Sequence, residues 1–142
     1  MRKDYTNTKV APILLCFIRY QDKFLLLKRS DKVLAYKNLW STLAGFIDDK
    51  QKLEDKIVEE ITEELGLKKE DIKEIKQGEI YTFKDKEINR DWIRHLFVVE
   101  VSNPDIKLDW EHTEYKWIFS KEINDYEITP GLAVDLEKVS RL

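Results

Sequence analysis

Leu53, Ile57, Ile61 and Leu65 recur every four residues, with Val58 beside them and Gly66 directly after. That period predicts an amphipathic helix over Leu53 to Leu65 with one apolar side, closed by a glycine suited to the left-handed cap. A helix with one apolar stripe has to lie on another layer, and the rest of the chain supplies a sheet. Val10 to Arg19 is apolar and β-branched, "YQDK" makes a turn and "FLLLKR" resumes, which reads as a β-hairpin. "VLAYKNLW" is a loop, and "STLAGFI" fits a short buried strand ending near Gly45. Ile72 to Phe83 and Trp92 to Val101 read as long strands joined by the charged turn "KDKEINRD", and Tyr115 to Phe119 as one more strand. Pro130 with Leu132, Leu136 and Val139 marks a closing helix. The order β-β-β-α-β-β-β-α predicts an α/β architecture, a mixed sheet sandwiched between helices.

With 142 residues, no internal repeat and no linker rich in Gly, Pro or Ser, residues 1–142 are read as a single domain. The 28 acidic and 25 basic side chains leave a net charge of −3, so no global field gathers a nucleic-acid polymer or an anionic membrane. An anionic ligand has to be held locally. Cys16, the only cysteine, lies in an apolar run, which rules out an intrachain disulfide and a cysteine zinc cluster. The start "MRKDYTNTKVAP" lacks the apolar centre of a signal peptide, and no stretch reaches the roughly 18 apolar residues of a membrane span. A cytoplasmic protein is expected.

The predicted helix places Glu59, Glu60, Glu63 and Glu64 in its last two turns, and the macrodipole disfavours each acid of the last turn by about 0.3–1 kcal/mol. Glu60, Glu63 and Glu64 share one arc beside the apolar stripe, and like charges at these spacings repel by a few tenths of a kcal/mol per pair. One reading is a solvated acidic face, with Lys56 and Lys68 four residues from Glu60 and Glu64 as partial neutralisers. The other is a site for a hard divalent cation such as Mg²⁺, which takes a few carboxylates together with substrate phosphates.

Gly45 to Leu67 resembles the Nudix box, the motif of hydrolases that cleave a nucleoside diphosphate linked to another moiety. Gly45, Glu60, Ile61, Glu63, Glu64, Gly66 and Leu67 stand in register with that pattern. Gln51 replaces the first glutamate of the box and Glu59 its arginine, two residues that commonly pair in the family. The Gln51 amide is able to donate to the Glu59 carboxylate, so the two changes compensate in geometry while adding a negative charge. "NLWSTLAGFID" and "EHTEYKWI" extend the resemblance beyond the box.

The resemblance implies the α/β/α Nudix sandwich and a Mg²⁺-dependent hydrolase, with Mn²⁺ as an alternative cation. It makes Glu60, Glu63 and Glu64 the catalytic and metal-ligand candidates, with Gly45 lining the same site. Glu64 is the first choice of general base; Glu111 and Glu114 are the alternatives, against ordinary polar loop residues. Lys28 and Arg29, at the end of the hairpin, are candidates for substrate phosphate. His112 reads either as a phosphate donor or as a solvated loop residue, and His95 as a core-edge histidine. Tyr36, Trp40, Tyr81, Phe83 and Trp92 supply either core or a face for a nucleobase, and Trp117 is read as packing. The expected substrate is a small nucleotide, a nucleoside triphosphate cleaved to monophosphate and pyrophosphate, with ADP-ribose and dinucleoside polyphosphates as alternatives. A Nudix-fold nucleotide-binding or regulatory protein, impaired at Gln51 and Glu59, is the second reading. A monomer or homodimer fits either.

Overall fold

The computed structural model describes residues 9–48 and 50–142. Most of the N-terminal segment weighed above as a leader therefore lies outside the described residues. Strands β1 (Val10–Tyr20) and β2 (Lys23–Arg29) form the expected hairpin, turning through Gln21 and Asp22, both at positive φ. They pair only beside that turn, Arg19 with Phe24 and Tyr20 with Lys23, and then part. Strand β3 (Trp40–Ser41) runs against β2, and β4 (Leu43–Phe46) takes the vacated place beside β1 with Leu14 opposite Gly45. Strands β5 (Ile72–Asp85) and β6 (Arg90–Val101) form a long antiparallel pair, and β6 runs parallel to β1 from Asp91 opposite Val10 to Glu100 opposite Arg19. Strand β7 (His112–Ile118) completes the other branch against β2. The result is a mixed, forked sheet.

The central strand is apolar on both faces because both are covered. Leu14, Cys16 and Ile18 of β1 join the core under helix α1 (Leu53–Leu65), whereas Leu15 and Phe17 join the core under helix α2 (Leu132–Val139). The stripe of α1 is fully buried: Ile57, Ile61 and Leu65 are each 0% exposed, a burial worth about 1.5–3 kcal/mol per side chain. Gly66 ends α1 at φ 69°, and the Lys107 N–H donates to the Leu65 carbonyl at 2.9 Å.

Strands β5 and β6 each run further toward their turn than the sequence reading, to Asp85 and from Arg90, and three other boundaries differ in ways that bear on the site. The loop before Trp40 closes with the short strand β3, since Trp40 is buried in the α2-side core. Helix α2 begins at Leu132 because Gly131, at φ 82°, turns the chain and Arg94 holds the Pro130 carbonyl outside the helix at 2.9 Å. Strand β7 starts at His112, so His112 and Glu114 belong to a strand paired with Arg29 and Lys28. Among the described residues no helix is long and apolar enough to cross a membrane.

Candidate active site

Where β1 and β2 part, a cleft of about 710 Å³ opens, lined from β2 by Arg29, from β4 by Gly45 and Phe46, and from α1 by Glu60 and Glu64. The helix presents these two carboxylates because they lie one turn apart on the edge of the buried stripe. Gly45 allows the approach: a Cβ there would lie 3.3 Å from Glu60 Oε1 and 3.7 Å from Lys56 Cε. Lys56 is itself buried and donates to Glu60 Oε1 at 3.0 Å. The expected neutraliser is thus an interior ion pair, while no ion pair joins Lys68 to Glu64 among the described residues. Gln51 Nε2 donates to Glu59 Oε2 at 3.1 Å, so an amide–carboxylate contact joins the two substituted box positions.

Glu64 is only 4% exposed, and its Oε1 has no hydrogen-bond partner. Burial pushes its carboxyl well above the ordinary range, and the neighbouring Glu60 and Glu111 carboxylates push it further. The segment before β7 brings Glu111 there: the Ser30 N–H donates to the Glu111 carbonyl at 2.8 Å, and Asp109 Oδ1 accepts from the Glu111 N–H at 3.1 Å. His112 follows, buried, with its Nδ1 unpartnered. Burial, then the Arg29 guanidinium, hold its pKa down to about 4, so the imidazole is neutral at pH 7. Cys16 beneath the cluster is fully buried, and its thiol is raised by that burial and by Glu60 and Glu64.

Arg29 brings the one guanidinium near this acidic group that sequence reasoning named, held by its Nε donating to the Ala35 carbonyl at 3.0 Å. The remaining candidates sit elsewhere. Glu63 is exposed and does not line the cleft. Lys28 and Glu114 face each other across β2 and β7, 3.4 Å apart, and do not line it either. Glu111 does. His95 is half-buried in β6, and its burial lowers its pKa.

Several cleft residues had no sequence signal. Asp85 ends β5 buried and accepts from the Tyr36 hydroxyl and from Trp92 Nε1, the latter at 3.3 Å. Trp92 packs on Phe46 with centroids 5.8 Å apart, so Tyr36 and Trp92 are cleft wall while Trp40 is core. Arg94 pairs with the fully buried Asp135 and lies 4.1 Å over the Phe83 ring. Tyr81 also donates to Asp135. Trp117 packs on Tyr20 and donates to the Pro104 carbonyl, as packing.

The NUDIX domain model matches residues 9–136. The chain belongs to the Nudix family. Solved Nudix structures share its fold. A MutT protein from Methanosarcina mazei Go1 superposes with a TM-score of 0.74 at 24% identity, covering 95% of this chain and 96% of that one. A C. elegans Ap4A hydrolase in a binary complex gives 0.71 at 19% identity over 92% and 96%. The NUDIX domain of Shewanella oneidensis NrtR, complexed with ADP ribose, gives 0.77 at 14% identity over 98% and 92%. No curated protein matches the sequence closely enough to serve as a relative. Nudix hydrolases act on phosphoric anhydrides, generally with a divalent metal. The donors here fit one: Glu64 is a buried carboxylate with an orphaned oxygen, beside further carboxylates that otherwise repel it.

Proposed function

We propose that the chain is a divalent-metal-dependent hydrolase of nucleoside diphosphate derivatives, acting on nucleoside triphosphates to release a monophosphate and pyrophosphate. The observation that carries this reading is the Glu64 carboxylate, buried, orphaned at Oε1 and crowded by Glu60 and Glu111 in the floor of a nucleotide-sized cleft. Glu64, Glu60 and Glu111 would hold a divalent cation, which when bound neutralises phosphate charge and acidifies a water.

The chain's own residues supply the rest. Arg29 meets substrate phosphate from β2, opposite the acids. With a cation beside it to restore its carboxylate form, Glu64 would take the proton of the attacking water; Glu111, which lines the same cleft, is the alternative base. Trp92 and Tyr36 offer aromatic surface to a base, each oriented by Asp85. The Lys56–Glu60 and Gln51–Glu59 contacts keep α1 seated without the usual box pair. The names of the similar structures, which include Ap4A and ADP ribose, keep dinucleoside polyphosphates and ADP-ribose in the substrate panel.

Release of phosphate or pyrophosphate is measured with Mg²⁺, with Mn²⁺ and with EDTA across nucleoside triphosphates, ADP-ribose and dinucleoside polyphosphates. Metal-dependent turnover that falls about 10²- to 10⁴-fold in Glu64→Gln supports the proposal. A panel that stays flat with either metal, while nucleotides still raise the melting temperature, overturns it in favour of a binding protein.

A further inference from the structure

The carboxylates of α1 are unequally provided for. Glu59 has the Gln51 amide, Glu60 has the Lys56 ammonium and Glu63 is exposed. Glu64 looks instead toward the start of β7, where its carboxylate and the ligand atoms of Asp109 and His112 all lie within 4.8 Å of one another. Two of the three side chains are more than nine-tenths buried, Glu64 at 4% exposure and His112 at 7%. Each of these two side chains also carries a buried atom without a partner, Oε1 and Nδ1. Leaving such an atom unpaired is unfavourable, and a cation held by the three side chains would relieve it.

The donor set is neither all oxygen nor all carboxylate. Hard Mg²⁺ favours carboxylate, carbonyl and water, whereas an imidazole nitrogen suits the first-row transition metals. We propose that Glu64, Asp109 and His112 form a mixed nitrogen–oxygen metal site that takes a first-row transition-metal dication, of the Zn²⁺ or Mn²⁺ kind, in preference to Mg²⁺. The site is built on two rigid pieces, the last turn of α1 and the entry to β7. Asp109 is oriented by the Glu111 N–H, and the next residue but one, Glu111, is fastened to Ser30. Arg29, paired in register with His112 on the other strand of the β2–β7 pair, keeps the region from being purely anionic. The ion binds here whether or not the chain turns over a nucleotide.

The chain has two histidines, His95 and His112, which makes the test direct. The full chain, labelled with ¹⁵N in its imidazoles and stripped with EDTA, is titrated with ZnCl₂ alone and with MgCl₂ alone. The expected result is a shift of the His112 ring nitrogen by one equivalent of Zn²⁺, with His95 unmoved and neither moved by the same concentration of Mg²⁺. By calorimetry, Asp109→Asn and His112→Gln, each checked for a native thermal transition in EDTA, weaken Zn²⁺ by about 10-fold or more. Zn²⁺ that leaves the His112 resonance in place, or that binds both folded variants as tightly as the parent, overturns the proposal.

Discussion

Asp135 on α2 and Glu64 on α1 are both buried acids, 0% and 4% exposed, on opposite faces of one sheet. Asp135 accepts from Arg94 and from Tyr81, and Arg94 in turn holds the Pro130 carbonyl. Burial raises its carboxyl, and the Arg94 charge and these hydrogen bonds pull it back. For Glu64, burial is reinforced by two more carboxylates, and one oxygen has no partner. The sheet thus separates a buried acid compensated within the chain from one whose neighbours add to its cost. Burial alone does not distinguish structure from function; the sign of what surrounds the buried charge does.

The largest expected break falls on the completed side. Asp135→Ala strands a buried guanidinium, and urea denaturation should show a loss of about 3–5 kcal/mol, against a much smaller change for Glu64→Gln in EDTA. Next comes pH. The folded-state pKa of His112 lies near 4, below the ordinary 6.5, so its contribution to stability is full above pH 6.5 and is lost as pH falls toward 4. In EDTA, His112→Gln should therefore shrink the stability difference between pH 7 and pH 4 by on the order of 3 kcal/mol, as read from denaturation midpoints at each pH.

A cation sharpens the contrast further. At 100 times its dissociation constant, a bound dication should stabilise the parent by about 2.7 kcal/mol in a thermal melt and leave Glu64→Gln nearly unmoved. Asp135→Asn, if folded, should keep the same increment. The smallest effect belongs to the substituted box pair. Gln51→Glu sets a carboxylate against Glu59 and should lose about 1 kcal/mol, and adding Glu59→Arg should recover it in a double-mutant cycle.

The layers and the acidic end of α1 were legible in the sequence because both rest on period: every fourth residue for the helix, near-continuous apolar runs for strands covered on both faces. The 23 residues from Gly45 to Leu67 also carry a motif of fixed spacing. What the sequence hid depends on contacts between distant segments. Asp109 looks like any loop acid until α1 brings Glu64 beside it, and Arg94 looks like an outward strand residue until α2 supplies Asp135. Lys56 was visible as a partner of Glu60 by its spacing, but not as a buried one, since only the packing of α1 against Gly45 closes over it. Lys28 and Arg29 are adjacent in sequence, and only the fork of the hairpin settles that Arg29 alone lines the cleft.

The parallel pairing of β1 with β6 also governs how the chain can assemble. Val10 waits for Asp91, 81 positions later, before that ladder can begin. At a synthesis rate of about 5–20 residues per second, the most apolar strand leaves the ribosome roughly 4–16 s before its parallel partner exists. During that interval β2 and β4 are its available neighbours, and one edge of the future sheet centre is bare. Contacts this distant in sequence make for slow folding, so the step exposed to aggregation is the wait for β6, ahead of any event at the cleft.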